Sequence, residues 1–181
     1  MSGLVFVGLG LFDEMDISLR GLEEIREAEA VFAEFYTSLM SGLSVRKLEK
    51  LIGKGVSVVS RHHLEEENGE MILQEAEKRK TVLLVPGDPL IATTHVDLRI
   101  RAEKLGIKTR IVHGASIVSA VIGLSGLQNY KFGRSVTVPF PEDDFISETP
   151  YLVIKESRKM GLHSLCFLDV RVEEAKYMTV K

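Results

Sequence analysis

Short apolar runs separated by stretches with helical spacing set the outline of this chain. Leu4–Val7, Ala30–Phe35, Val56–Val59, Thr81–Val85 and Lys108–Val112 are brief and rich in β-forming residues, which predicts five strands. The first is apolar throughout and the fourth is apolar after Thr81, as in strands buried on both faces. Between them, Ser18 caps a helix striped by Leu19, Leu22, Ile25 and Ala28, and Ser44 opens one with Leu48, Leu51 and Ile52 inward, closed by Gly53 or Gly55. Glu65–Arg79 predicts a third helix, with Met71, Ile72, Leu73 and Ala76 as its apolar positions. A fourth, capped by Thr93 or Thr94 and ended by Gly106, places Val96, Ile100 and Leu105 on one buried stripe. Strand and helix alternate five times in about 115 residues. That rhythm predicts an α/β domain with a five-stranded, largely parallel sheet, helices on both faces and right-handed crossovers.

After Val112 the pattern changes. Ser116 reads as the cap of a short helix over Ile117–Leu124, broken at Gly126. Ser135–Val138 alternate like a half-exposed strand, and Pro139-Phe140-Pro141 with the acidic residues after it predicts an irregular loop. Thr149 with Pro150 is a cap followed by an N1 proline, Gly161 is a stop, and Leu165–Val170 is another strand. The expected division is an N-terminal α/β domain over 1–112 and a C-terminal α/β domain with a mixed sheet over 113–181. Tyr177–Val180 is β-like with no partner following it, so the second domain reads as incomplete.

The 181 residues carry a formal charge of −3, a balance that argues against a nucleic-acid-binding scaffold. The first apolar stretch lacks a basic flank and is too short for a signal peptide or a membrane span, so no membrane partner is expected. Cys166 is the lone cysteine, which excludes an internal disulfide, fits a reducing cytoplasm and, in an apolar run, reads as a buried structural thiol.

Pro86-Gly87-Asp88-Pro89 ends the fourth strand abruptly, because the prolines remove backbone donors and glycine permits φ > 0. Open α/β sheets bind ligands at such strand ends, so Asp88 is a candidate binding residue. Gly8-x-Gly10 after the first strand invites a dinucleotide reading, with Glu34 as the ribose acid. Asp13 stands where that fingerprint needs a third small residue, and its charge opposes a pyrophosphate. No phosphate-binding P-loop pattern is present, and the five histidines show no metal-ligand spacing, so no metal is expected. Ser116 reads as a cap rather than a nucleophile.

Six stretches taken together carry a family resemblance. They are Val7-Gly8-Leu9-Gly10-Leu11, Glu34-Phe35-Tyr36-Thr37-Ser38, Pro86–Leu90 with Ala92-Thr93-Thr94-His95, His113-Gly114-Ala115-Ser116-Ile117, Leu127–Gly133 and Phe167-Leu168-Asp169-Val170. In order and spacing they resemble the diphthine synthases, a branch of the tetrapyrrole-methylase-like S-adenosylmethionine (SAM) methyltransferases. The resemblance implies a homodimer with SAM in a cleft between two α/β domains, its methyl groups passing to the amino group of a modified histidine on translation elongation factor 2 during diphthamide biosynthesis. It carries the cofactor contacts onto Leu11, Asp88, Ile91, Ser116, Ile117 and Leu168, and makes Tyr36 and His95 candidates for meeting the substrate. No catalytic residue is assigned, since transfer from a sulfonium needs mainly alignment and exclusion of water. The competing readings are a tetrapyrrole methyltransferase, an NAD-dependent oxidoreductase and a non-catalytic SAM-binding module.

Overall fold

The computed structural model describes residues 1–142 and 145–180. Asp143 and Asp144, in the loop expected after Pro141, lie outside the described residues, as does Lys181. The chain divides into two compact units, Met1–Ser116 and Ile117–Lys181.

The first unit is built on a parallel sheet. Its strands are β1 (Gly3–Gly8), β2 (Ala30–Glu34), β3 (Ser57–Val59), β4 (Lys80–Val85) and β5 (Thr109–Val112), in the spatial order β3-β2-β4-β1-β5. β1 is buried along its whole length, and β4 is buried from Thr81 on, as their apolar runs predict. Alternate residues of one strand serve opposite faces. Val5 and Val7 pack with Ile25 of α1 (Leu19–Glu27) and with Leu48 and Ile52 of α2 (Val45–Ile52). Leu4 and Phe6 pack with Ile72, Leu73 and Ala76 of α3 (Glu70–Lys78) and with Leu98 and Ala102 of α4 (His95–Lys104).

Three helices differ from the expected pattern for identifiable reasons. In α1, Ser18 Oγ accepts from Gly21 N at 3.1 Å as a cap should, but Leu19 is exposed. Gly21 presses against Val7, which turns buried Glu24 toward ion pairs with Lys80 (2.9 Å) and Arg110. The expected 65–79 helix is interrupted. A π-helical turn over His62–Glu66 ends at Asn68 and Gly69, both in the left-handed region, and α3 starts only at Glu70. Leu98 occupies the space a side chain at Gly69 would need. In α4 the buried residues are His95, Leu98 and Ala102, whereas Val96, Ile100 and Leu105 are exposed. The helix is rotated by its polar first residue, because His95 turns inward toward the buried carboxylate of Glu34.

The second unit contains α5 (Ile117–Leu124), β6 (Val136–Val138), α6 (Thr149–Lys159), β7 (Cys166–Leu168), β8 (Val170–Arg171) and β9 (Lys176–Tyr177). β6 and β7 pair in parallel, and β8 and β9 pair antiparallel. The expected continuous strand over 165–170 is split at Asp169, whose carboxylate accepts from Phe140 N and Val170 N, both at 2.9 Å. Tyr177 pairs with Val170, which precedes it in the chain. Glu148 rather than Thr149 occupies the N-cap of α6, and Ser147 Oγ accepts from Thr149 N at 3.4 Å. Cys166 is half-buried rather than buried. No helix among the described residues is long and apolar enough to cross a membrane.

The ends of β4, β1 and β5 meet through glycine. A Cβ on Gly114 would lie 2.4 Å from the Gly87 carbonyl oxygen and 2.9 Å from the Gly8 backbone, neither of which can yield as a flexible side chain would. Gly114→Ala should therefore lower stability by about 1–3 kcal/mol through overpacking. Gly123→Ala, in α5 with nothing within 4 Å, should instead be neutral or stabilising by up to ~1 kcal/mol from helix propensity. Chemical-denaturant midpoints of the two variants test the contrast, and equal effects would mean that the glycine junction yields.

Candidate functional site

Every strand of the first sheet is parallel to its neighbours, so the loops that follow them gather on one edge. β1 and β4 are adjacent, yet β1 leads to a helix on one face and β4 to a helix on the other. That reversal is the topological switch point at which open α/β sheets bind ligands. Here the two loops are stitched together. Leu9 N donates to Val85 O at 2.8 Å, Gly87 N to Gly10 O at 2.8 Å, and Gly10 N to Gly87 O at 3.3 Å.

Aspartates close the first of these loops. Asp16 Oδ2 accepts from Leu11 N at 3.0 Å and from Phe12 N at 2.7 Å, and Asp13 Oδ1 accepts from Met15 N at 2.9 Å. Gly10, at φ 86°, has Asp16 packed where its side chain would be. The backbone amides that a dinucleotide fold would offer to phosphate are thus already occupied by a carboxylate. The sequence singled out Asp13, and the structure shows that Asp16 acts more directly.

Asp88 follows β4 and is buried, with 6% exposure. Its Oδ1 accepts from Leu90 N at 3.1 Å, and its Oδ2 lies 2.7 Å from His113 Nδ1. His113 comes immediately after β5, and its side chain is 74% exposed. Of the expected cofactor contacts, Leu11, Asp88, Ile91 and Ser116 share this edge of the first unit, and Leu11 and Ile91 are exposed. Ala92, next to Ile91, sits at φ 56°, a strained value for a residue with a Cβ. Ile117 begins α5 and is exposed, and Leu168 ends β7 half-buried, both in the second unit. His113 stood in the sequence only as part of a family stretch, because its contact with Asp88 is visible only in three dimensions.

The β2 end carries a second buried acid. Glu34 is fully buried, its Oε2 accepting from Tyr36 N at 3.0 Å and Thr37 N at 3.1 Å, and its Oε1 from Thr37 Oγ1 at 2.5 Å. His95 Nε2 lies 3.3 Å from Glu34 Oε1, and the His95 and Tyr36 rings stack with centroids 6.3 Å apart. The Arg61 guanidinium covers the Tyr36 ring at 5.2 Å. The two residues expected to meet the substrate are therefore brought together but buried, with 3% and 5% exposure. In this state they brace the edge. A cavity of about 260 Å³ beside them is lined by Leu64, Glu65, Thr94, His95, Asp97 and Leu98.

The sequence model of the family described as Tetrapyrrole (Corrin/Porphyrin) Methylases matches residues 3–168. The chain is 54% identical to the diphthine synthase of Methanocella arvoryzae over 177 residues, covering 98% of this chain and 68% of that protein. It is 55% identical to the diphthine synthase of Methanosarcina barkeri, with 98% and 67% covered. A crystal structure of diphthine synthase superposes with a TM-score of 0.85 at 49% identity, over 92% of this chain and 64% of that one. The chain thus spans about two thirds of the length of these relatives.

Tyr36 gives a prediction with a sign. Burial is the main influence raising its phenol above the ordinary value, the Glu34 and Glu65 carboxylates raise it further, and Thr94 and Arg61 oppose them. Its Oη is shielded from solvent and makes no hydrogen bond of good geometry. A raised folded-state value gives stability that is fully present below the unfolded phenol value of about 10 and is lost as pH rises through the folded one. Tyr36→Phe should therefore melt at or slightly above the wild-type temperature at pH 7 and lose less stability above about pH 10. Thermal unfolding across that range checks both, and a large drop at pH 7 would show that the hydroxyl has a partner.

Proposed function

Because the chain belongs to the diphthine synthases, within the tetrapyrrole methylase family of SAM-dependent methyltransferases, we propose that it methylates the amino group of the modified histidine of translation elongation factor 2 in diphthamide biosynthesis. The observation that carries this reading is the charge arrangement at the switch point. The loop amides of Leu11 and Phe12 are taken by Asp16, while Asp88 holds a buried carboxylate at the same edge. Such an edge disfavours a pyrophosphate and favours a cation, and SAM brings both a sulfonium and an ammonium.

Leu11, Asp88, Ile91 and Ser116 are the residues of the first unit proposed to hold the cofactor. Exposed Leu11 and Ile91 offer apolar surface, and Asp88 keeps acceptor capacity beyond its two protein partners. Bound SAM supplies an activated methyl group; the protein aligns the amine and keeps water out. The same occupied amides weigh against the oxidoreductase reading, which needs them for the nicotinamide dinucleotide.

The test is incubation of the chain with labelled SAM and elongation factor 2 carrying the unmethylated modified histidine. Label should appear on that histidine, and NADH should show no micromolar binding by fluorescence titration. By calorimetry, Asp88→Ala should weaken SAM binding about ten-fold or more, the worth of one charged hydrogen bond. Methylation of a corrin precursor with the elongation factor left unlabelled would overturn the proposal.

A further inference from the structure

We propose that His113 is the proton acceptor of the methyl transfer, with Asp88 as its orienting partner. The inference rests on the methyltransferase reading above. An aliphatic amino group of the kind lysine carries has an ordinary value of about 10.4, so near neutral pH a substrate amine of that kind is an ammonium without a lone pair. One of its protons must leave before nitrogen can attack, and an acceptor at the site lets that happen within the bound complex.

The structure distinguishes among the histidines. His62 is engaged by Glu66 and Glu67, and His63 Nδ1 faces Ser60 N and Oγ at 3.1 and 2.7 Å. His95 is 3% exposed and stacked on Tyr36, so an amine carried by another protein does not reach it. His163, in the second unit, packs on the Phe132 ring. His113 alone among them combines an exposed imidazole with a buried carboxylate at 2.7 Å from Nδ1. Among the described residues, Asp88 is the charged side chain that His113 contacts. Leu90 N holds the other oxygen of Asp88, which fixes the carboxylate. A carboxylate on Nδ1 selects the tautomer with the proton there, leaves Nε2 with its lone pair facing solvent, and stabilises the imidazolium once Nε2 is protonated.

The step balances. The substrate ammonium gives a proton to His113 Nε2, and the freed nitrogen lone pair forms the new N–C bond. The S–C bond breaks, its electron pair staying on sulfur as a neutral thioether. The product is a methylated ammonium, and the imidazolium passes its proton to solvent.

His113→Ala and His113→Gln in this chain test the role, the side chain being exposed enough for both to fold. Glutamine can still donate to Asp88 but holds no titratable nitrogen. Both variants should lose about a hundred-fold or more in kcat, with SAM affinity and the KM for elongation factor 2 changed less than three-fold. Added imidazole should restore part of the rate to His113→Ala, which a merely structural residue would not allow. Independently of turnover, nitrogen-15 NMR should find the neutral imidazole protonated at Nδ1. An Nε2–H tautomer, or an unchanged kcat in His113→Ala beside an active wild type, overturns the role alone. A wild-type chain that binds SAM but leaves elongation factor 2 unmethylated overturns the functional reading and this role together.

Discussion

The contact of three backbones above the end of β1 is the constraint on which the rest of the site depends. Parallel strands lie ~4.8 Å apart, so β4 and β5, on either side of β1, are separated by roughly 10 Å. Asp88 and His113 leave those two strands and nevertheless meet at 2.7 Å. They can do so only because the loops converge over Gly8, with Gly87 O and Gly114 N both 2.5 Å from where a Gly8 Cβ would stand. A side chain at Gly8 or Gly114 would push the carboxylate and the imidazole apart. Gly8 and Gly114 therefore act on the chemistry through packing: what they admit to the backbone is another backbone.

Carboxylates then shape the loops that this junction leaves. Asp16 follows β1, Glu34 ends β2 and Asp88 follows β4, and each accepts from one or two backbone amides of the adjoining loop. A charged hydrogen bond contributes about 1.5–3 kcal/mol, and a buried carboxylate without such donors would be strongly disfavoured. The loops and their acids thus hold each other in place. One consequence is electrostatic: amides turned toward their own carboxylates are not offered to an external anion, and the edge acquires a bias toward cationic ligands. The fold shares its strand-end geography with dinucleotide-binding sheets, and the loop chemistry separates it from them.

The layout of the first unit was legible in the sequence because its signals are local. Apolar runs marked all five strands to within about a residue, and Gly53, Gly106 and the Pro-Gly-Asp-Pro turn marked ends that the structure keeps. The errors arise where a distant partner overrides a local pattern. Val96 and Ile100 looked like a buried stripe, but His95 answers to Glu34, two strands away in sequence, and carries the helix round with it. The 165–170 strand looked continuous, but Asp169 bonds Phe140 N and breaks it. Asp88 could be singled out from its place in a sharp turn after a buried strand. The pairing with His113, 25 residues further on, has no periodic or motif signature and becomes visible only when the sheet order is known.

Burial assigns different work to the two histidines of this edge. Methyl transfer gains most from an amine and a donor already aligned, because the entropy of bringing them together is then settled before reaction. A residue that supplies alignment should be immobile, and His95 is: it is enclosed, stacked on Tyr36 and set against Glu34. A residue that exchanges protons with substrate and solvent must instead be reachable at one nitrogen while held at the other, and His113 meets both requirements. Exchanging these positions would defeat each purpose, since a buried acceptor could not shed its proton and an exposed brace could not hold a loop. The sheet resolves the conflict by placing one imidazole at the inward start of α4 and the other at the open end of β5.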